Sequence, residues 1–120
     1  MSDRLGEIFA LREDFMNKIN EKIPEAYPQW PIDLTLKSNQ KAVREFAFRG
    51  MEELFEALLH LKNWKDHRDG AKEFDRAEFL EEMIDAYKYF TAILILTGVD
   101  SEEFFEAYKK KHDIICSRLN

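Results

Sequence analysis

Residues 43–61, VREFAFRGMEELFEALLHL, decide the fold of this 120-residue chain. Apolar residues recur here at every third or fourth position, which is the period of an α-helix. They form two stripes: Val43, Phe46, Ala47, Gly50, Leu54, Leu58 and Leu61 in the first, and Phe48, Phe55 and Leu59 in the second. A helix with two apolar sides is usually buried on both, so we expect a helix over residues 38–63 inside a bundle or between two subunits.

A first helix precedes this stretch. The apolar positions between Leu5 and Ile23 have helical spacing and predict a helix over residues 2–21, which Pro24 ends. Residues 24–36 contain all three prolines and Trp30, and they predict an ordered, extended connection that packs through its aromatic side chains.

Two more helices are predicted after the central stretch. Residues 64–74 are rich in charge and contain a glycine, which predicts a loop. Two Asp-x-x-Glu capping patterns begin at Asp75 and Asp100. The first predicts the start of a third helix, which Gly98 ends, and the second predicts a fourth helix that continues to about residue 117. With no strand candidates, the chain is expected to be an all-α, four-helix-bundle-type domain.

Composition and charge restrict the class of protein. A chain that is 45% hydrophobic and 35% charged fits one folded domain over residues 1–120. The net charge of -6 disfavours a partner that is a nucleic-acid polymer or an anionic membrane, because no basic stripe is present. Cys116 is the only cysteine, and no apolar run is long enough to span a bilayer. These features predict a cytoplasmic protein.

Two acidic signatures lie in the predicted second and third helices. Glu53 and Glu56 share one helix face, and so do Glu82 and Asp85. Carboxylates that meet without a partner repel one another and lose solvation, and a divalent cation removes that cost. Because oxygen ligands suit Mg²⁺ or Mn²⁺, the pattern predicts a metal site that serves phosphate chemistry.

The spacing of the acids disfavours an ordinary solvated surface. An exposed helix face usually pairs an acid with a base four residues later, yet Glu52 is followed by Glu56, and Glu81 by Asp85. Each such pair costs a few tenths of a kcal/mol on an isolated helix. Apolar residues lie next to these acids, so we expect the site to be partly buried.

Glu-x-x-Glu followed by Glu-x-x-Asp resembles the signature of the all-α nucleoside triphosphate pyrophosphohydrolases, a superfamily that includes the MazG-like, dimeric dUTPase and phage dCTPase/dUTPase enzymes. The resemblance extends over about residues 8–118. It includes Trp64-Lys65, residues 85–90 (DAYKYF), residues 96–103 (LTGVDSEE), and Tyr108 to Lys111 with Arg118.

The resemblance implies hydrolysis of a deoxynucleoside triphosphate to its monophosphate and pyrophosphate, with Mg²⁺ or Mn²⁺ as cofactor. It implies metal ligation by Glu53, Glu56, Glu82 and Asp85. The residues expected to bind the substrate are Trp64, Lys65, Lys88, Tyr108, Lys111 and Arg118. Glu52 shares the Glu56 face and is the candidate general base. Self-association as a homodimer or higher oligomer is also expected.

Several alternatives stay open. dUTP or dCTP is the expected substrate in nucleotide-pool control. Residues 11–17, however, lack the glutamine found in the first helix of dUTPase-like relatives, and His112 and Ile115 occupy positions where asparagines are frequent. A purine deoxynucleotide is therefore the second candidate. A di-iron site would need Glu-x-x-His pairs, which neither acidic helix supplies. The pair His112-Asp113 is similar to that of another phosphohydrolase class. A non-enzymatic acidic interaction module is the remaining alternative.

Overall fold

The computed structural model of the protein describes residues 3–68, 70 and 73–119, which form four α-helices and no β-strand. The helices are α1 (Arg4–Lys22), α2 (Lys37–Leu58), α3 (Arg76–Leu96) and α4 (Ser101–Ser117). The prediction of an all-α fold is confirmed. Over the described residues, none of these helices combines the length and apolar character needed to cross a membrane.

Aspartate caps begin three of the helices. The Asp75 Oδ1 atom accepts a hydrogen bond from the backbone N–H of Glu78 at 3.1 Å, and Asp100 Oδ1 accepts one from Glu103 at 2.8 Å. Both predicted caps are therefore confirmed. Asp3 caps α1 in the same way, and Ser2, the predicted first residue of that helix, lies outside the described residues.

The second helix is shorter than the apolar pattern predicts. It ends at Leu58, not at residue 63. The N–H groups of His60 and Leu61 donate to the carbonyls of Ala57 and Leu58, three residues earlier, at 3.1 and 3.0 Å. These tighter bonds satisfy the last carbonyls of the helix and turn the chain away. The apolar residue Leu61 therefore follows α2 and does not belong to it.

The structure divides into two compact units. The terminal unit comprises the described residues of Met1–Leu34 and Leu94–Asn120, and the central unit is Thr35–Ile93. The terminal unit thus contains α1, α4 and the last residues of α3. The central unit contains α2 and most of α3. That residues 1–120 form a single domain stays a prediction.

In the terminal unit, α1 contacts α4, and the segment between α1 and α2 folds onto α1. The rings of Phe9 and Phe104 lie 6.2 Å apart, and Met16 is fully buried. The side chain of Asn20 accepts from the N–H of Tyr27 at 2.8 Å and donates to its carbonyl at 3.2 Å. Tyr27 is thereby fixed in the core, which explains how a proline-rich segment is ordered without regular structure.

Gly98 ends the turn after α3 in a conformation that favours glycine. Its φ is +84°, and a Cβ atom there would lie 3.1 Å from the Cβ of Pro31. We expect Gly98→Ala to reduce the free energy of unfolding, with about 1–2 kcal/mol from the left-handed backbone alone. Urea denaturation measures this loss. Gly70→Ala is the matched control, because Gly70 also has a positive φ but has open space around it. Equal losses in both variants would contradict a role for the contact with Pro31.

In the central unit, α2 and α3 approach closely at Gly50. A Cβ atom at Gly50 would lie 3.1 Å from the Cβ of Tyr89 and 3.6 Å from the carbonyl oxygen of Ala86. Glu53 follows Gly50 by one helical turn, and Glu82 and Asp85 precede the contacted residues on α3. The two helices are therefore antiparallel here, and their close approach brings the acidic segments to the same level.

Candidate functional site

Three of the predicted metal ligands converge in the central unit. Carboxylate oxygens of Glu53 on α2 and of Glu82 and Asp85 on α3 all lie within 4.8 Å of one another. The three residues are partly buried, as expected. The convergence follows from the helical spacing on each element together with the antiparallel register set at Gly50.

The fourth predicted ligand, Glu56, lies beside this group. It lies one turn after Glu53 on α2 and contributes to the raised pKa of that carboxyl group, although it is exposed and is not one of the three converging carboxylates. The acidic cluster is defined here as Glu53, Glu56, Glu82 and Asp85.

The acidic cluster makes ionisation of Glu53 unfavourable. Burial raises the pKa of Glu53, and the negative charges of Glu56, Asp85 and Glu82 raise it further. Among the ion pairs formed by the described residues, none includes a member of the acidic cluster. The carboxylates of the cluster are therefore not offset by a direct ion pair within the described residues.

The chemistry of these donors fits a hard divalent cation. All four groups are carboxylates, with no imidazole or thiolate among them, and oxygen donors are those that Mg²⁺ and Mn²⁺ prefer. Two oxygens on opposite sides of one Mg²⁺ are about 4.2 Å apart, from metal–oxygen distances of about 2.1 Å. The oxygens of Glu53, Glu82 and Asp85 lie within 4.8 Å of one another, so the carboxylates would draw slightly closer together around a bound Mg²⁺.

The predicted general base and three of the predicted substrate-binding residues also belong to the central unit and are close to the acidic cluster in sequence. Glu52 is exposed on α2, next to Glu53 and one turn before Glu56. Lys88 is exposed on α3, three residues after Asp85, so both project from the same side of that helix. Trp64 and Lys65 lie in the loop after α2, where the Lys65 Nζ atom is 5.5 Å from the centroid of the exposed Trp64 ring.

The other three predicted substrate-binding residues lie in the terminal unit. Tyr108 and Lys111 are exposed on α4, and Arg118 is the C-cap residue of that helix. Their spacings of three and seven residues place all three on one side of the helical turn. The Tyr108 ring packs edge-on against Phe104, with 6.2 Å between ring centroids, which fixes the start of this polar face.

Two further features were missed in the sequence. The terminal unit contains a cleft of about 420 Å³, where the indole N–H of Trp30 donates to Glu13 at 2.8 Å. No sequence spacing predicts a contact between residues so far apart. The second feature is the pair His112 and Cys116, whose side chains meet on α4. Their spacing of four residues on a helix was a usable signal.

Comparisons of the chain with protein-family models, with curated proteins and with solved structures find no match.

Proposed function

We propose that the protein is a Mg²⁺-dependent nucleoside triphosphate pyrophosphohydrolase of the MazG-like type, which converts a deoxynucleoside triphosphate and water to the monophosphate and pyrophosphate. The observation that carries the proposal is the convergence of Glu53, Glu82 and Asp85 within 4.8 Å. These are residues of the Glu-x-x-Glu and Glu-x-x-Asp signature, and their convergence is what that signature requires. A cytoplasmic role in nucleotide-pool control agrees with the acidic, single-cysteine chain.

Glu53, Glu82 and Asp85 would hold the metal, with Glu56 beside them as a further ligand. A bound Mg²⁺ or Mn²⁺ neutralises phosphate charge and makes a coordinated water more acidic. The raised pKa of Glu53 supports this assignment, because a cation offsets both the burial of the carboxyl group and the repulsion from its neighbours.

The chain's own side chains supply the other steps. In the proposal, Glu52 accepts the proton that the attacking water loses. Lys65 and Lys88 offset the remaining negative charge of the triphosphate. The exposed ring of Trp64 offers a surface on which a base can stack. That Tyr108, Lys111 and Arg118 of the terminal unit bind the substrate stays a prediction from the resemblance.

The products test the proposed reaction. The purified protein is incubated with each deoxynucleoside and ribonucleoside triphosphate and Mg²⁺, and the products are separated by chromatography. We expect monophosphate and pyrophosphate in equal amounts, with none formed when the metal is chelated. Release of orthophosphate with a nucleoside diphosphate would contradict the proposal, and so would the absence of turnover with every substrate.

We propose pyrimidine deoxynucleotides, dUTP or dCTP, as the substrates, since the resemblance is to that branch. The same substrate panel decides this point. A higher kcat/KM for dATP or dGTP would transfer the assignment to the purine alternative, without affecting the metal site.

We also propose that the chain self-associates through the apolar groove between α2 and α3 in the central unit. Met51, Leu54, Tyr87 and Phe90 line this groove and expose 38–56% of their surface. Contiguous apolar patches on monomers are typically about 300–600 Å², and a stable interface buries about 800 Å² per partner. A second copy of the chain would cover these side chains, which include Leu54 of the first apolar stripe of α2.

Introducing a negative charge into the apolar groove tests self-association. We expect the wild-type chain to sediment as a dimer or higher oligomer, and Phe90→Glu to dissociate it, because a buried carboxylate without a partner costs several kcal/mol. Leu11→Glu is the matched control, since Leu11 is an exposed apolar residue of α1 in the terminal unit. A monomeric wild type, or a Phe90→Glu variant that keeps the wild-type mass, would contradict the proposal.

A further inference from the structure

The cleft in the terminal unit is lined by buried apolar residues and by exposed carboxylates. Its volume is about 420 Å³. Clefts that bind small molecules usually measure about 300–1,000 Å³ and combine apolar walls with a few polar groups. Phe9 of α1 and Ile95 near the end of α3 line it, and each exposes only 7% of its surface. Glu13 of α1 and Asp100 before α4 also line it and are exposed. The cleft therefore suits a ligand with an apolar body and one polar group.

The charge of the cleft is negative. Of the described residues that line it, the charged ones are Glu13 and Asp100, and both are acids. None of the ion pairs formed by the described residues includes either of them. A cationic group on the ligand would therefore meet carboxylates and no competing base.

The carboxylate of Glu13 is held in place by an aromatic neighbour that also lines the cleft. The indole N–H of Trp30 donates to the Oε2 atom of Glu13 at 2.8 Å, and the Trp30 side chain is half-buried. An ionised carboxylate has about four acceptor positions on its two oxygens, and this bond occupies one of them. Glu13 is thus oriented by the protein and can still accept hydrogen bonds from a ligand.

Two helices begin at the cleft, and their partial positive charge is offset by acids. Gly6 in the first turn of α1 and Ser101 at the start of α4 line the cleft. Asp3 accepts a hydrogen bond from the N–H of Gly6 at 2.6 Å, and Asp100 accepts one from that of Glu103 at 2.8 Å. The first turns contain three further acids, Glu7, Glu102 and Glu103. Each helix start carries only about half an elementary charge, so these acids leave the region negative.

We propose that this cleft binds an organic ammonium ion. The ammonium group donates hydrogen bonds to the carboxylate of Glu13, and the apolar body of the ligand packs against Phe9 and Ile95. Hydrogen bonds between groups of opposite charge are about twice as strong as those between neutral groups. A free amine and the side chain of a lysine share this chemistry. The site contains none of the residues of the acidic cluster and needs no metal.

Nuclear magnetic resonance of the isotope-labelled full chain tests the proposal. We expect phenethylammonium to shift the indole N–H signal of Trp30 in a saturable way, with that signal identified by its loss in Trp30→Phe. The indole signal of Trp64, in the loop after α2, should not move. Phenethyl alcohol has a similar shape but no charge, and it should bind at least about tenfold more weakly, as expected for the loss of a hydrogen bond between charged groups.

A second titration, with N-acetyl-lysine amide, distinguishes the sources of the ammonium group. Tighter binding of phenethylammonium would support the site as one for a free amine. Tighter binding of the lysine amide would support it as one for a lysine side chain.

Glu13→Gln should weaken the binding of phenethylammonium by at least about tenfold. Glutamine keeps an oxygen that can accept from Trp30, and Glu13 is exposed, so the helical circular dichroism should not change. Asp14→Asn is the matched control, because Asp14 is the next residue of α1 and pairs with Lys18 at 2.9 Å outside the cleft. No shift of the Trp30 signal with either amine, equal binding of the alcohol, or equal affinity in the two variants would overturn the proposal, whether or not the chain hydrolyses nucleotides.

Discussion

Replacing Glu53 by glutamine is expected to abolish Mg²⁺-dependent hydrolysis of nucleoside triphosphates, with kcat/KM falling more than about 100-fold, which exceeds the usual loss for a residue that only supports a ligand. Glu53 joins the two helices of the site, since its carboxylate lies within 4.8 Å of both Glu82 and Asp85. Glutamine keeps the size of the side chain but removes the charge that a metal ion needs. Steady-state kinetics with the best triphosphate substrate measure the loss.

Asp85→Asn should have the same effect, because Asp85 supplies a converging oxygen from α3. Glu45→Gln is the matched control on α2. Glu45 is exposed, forms an ion pair with Arg49 at 2.8 Å and precedes Glu53 by two turns, so its variant should retain wild-type turnover. Circular dichroism should be the same for all three variants. Full activity in either Glu53→Gln or Asp85→Asn would reject the ligand assignment.

Mg²⁺ is expected to stabilise the wild-type chain and to leave Glu53→Gln unchanged. A ligand that binds only the folded state adds about 2.7 kcal/mol at 100 times its Kd, which raises the Tm by several degrees for a chain of this size. Thermal unfolding with chelator or with excess Mg²⁺ or Mn²⁺ measures the difference. Glu52→Gln separates the roles of neighbouring acids: it should lose turnover but keep the metal-dependent increase in Tm. An acidic surface without a site would give little increase in any variant.

Without metal, the same carboxyl group should make stability depend on pH. The pKa of Glu53 is raised in the folded chain, so the folded state keeps its proton at a pH where the unfolded state, with a pKa of about 4.3, has lost it. Stability therefore falls as pH rises from that value through the raised pKa. Glu53→Gln removes this loss, and in chelator above that range the variant should be more stable than wild type. Urea denaturation across this pH range checks the sign, with Glu45→Gln as the control that keeps the wild-type slope.

The secondary structure was largely predictable because its signals are local. Asp75 and Asp100 each cap a helix by accepting a hydrogen bond from the backbone N–H group three residues later. The Asp-x-x-Glu spacing predicts these hydrogen bonds. The end of α2 was not predictable, since Leu61 continues the apolar stripe although the chain has already turned through bonds to carbonyls three residues back. Hydrophobic spacing reports where apolar residues recur and does not report where the backbone leaves the helix.

The sequence predicts which acidic residues share a helix face, but it does not predict the distance between the acidic faces of α2 and α3. Spacing places Glu53 with Glu56, and Glu82 with Asp85, while the separation of the two pairs depends on how closely α2 and α3 approach. Gly50 decides that approach, and within the sequence it is only one position of an apolar stripe. For Trp64 and Lys65, the sequence predicts neighbours in a loop, and the structure adds that the lysine ammonium lies 5.5 Å from the indole ring.

The tight crossing at Gly50 has a consequence for which ion the proposed metal site would admit. Gly50 is one turn from Glu53, and Ala86 directly follows Asp85, so the gap between the backbones and the gap between the carboxylates widen or narrow together. Mg²⁺ holds oxygens at about 2.1 Å and Ca²⁺ at about 2.3–2.6 Å. The absence of a side chain at Gly50 would thus set the size of the ion that fits between the carboxylates. A larger residue at position 50 would move α2 and α3 apart, and with them the carboxylates. The site would then favour Ca²⁺ over Mg²⁺, even though the substituted residue does not contact a proposed metal ligand.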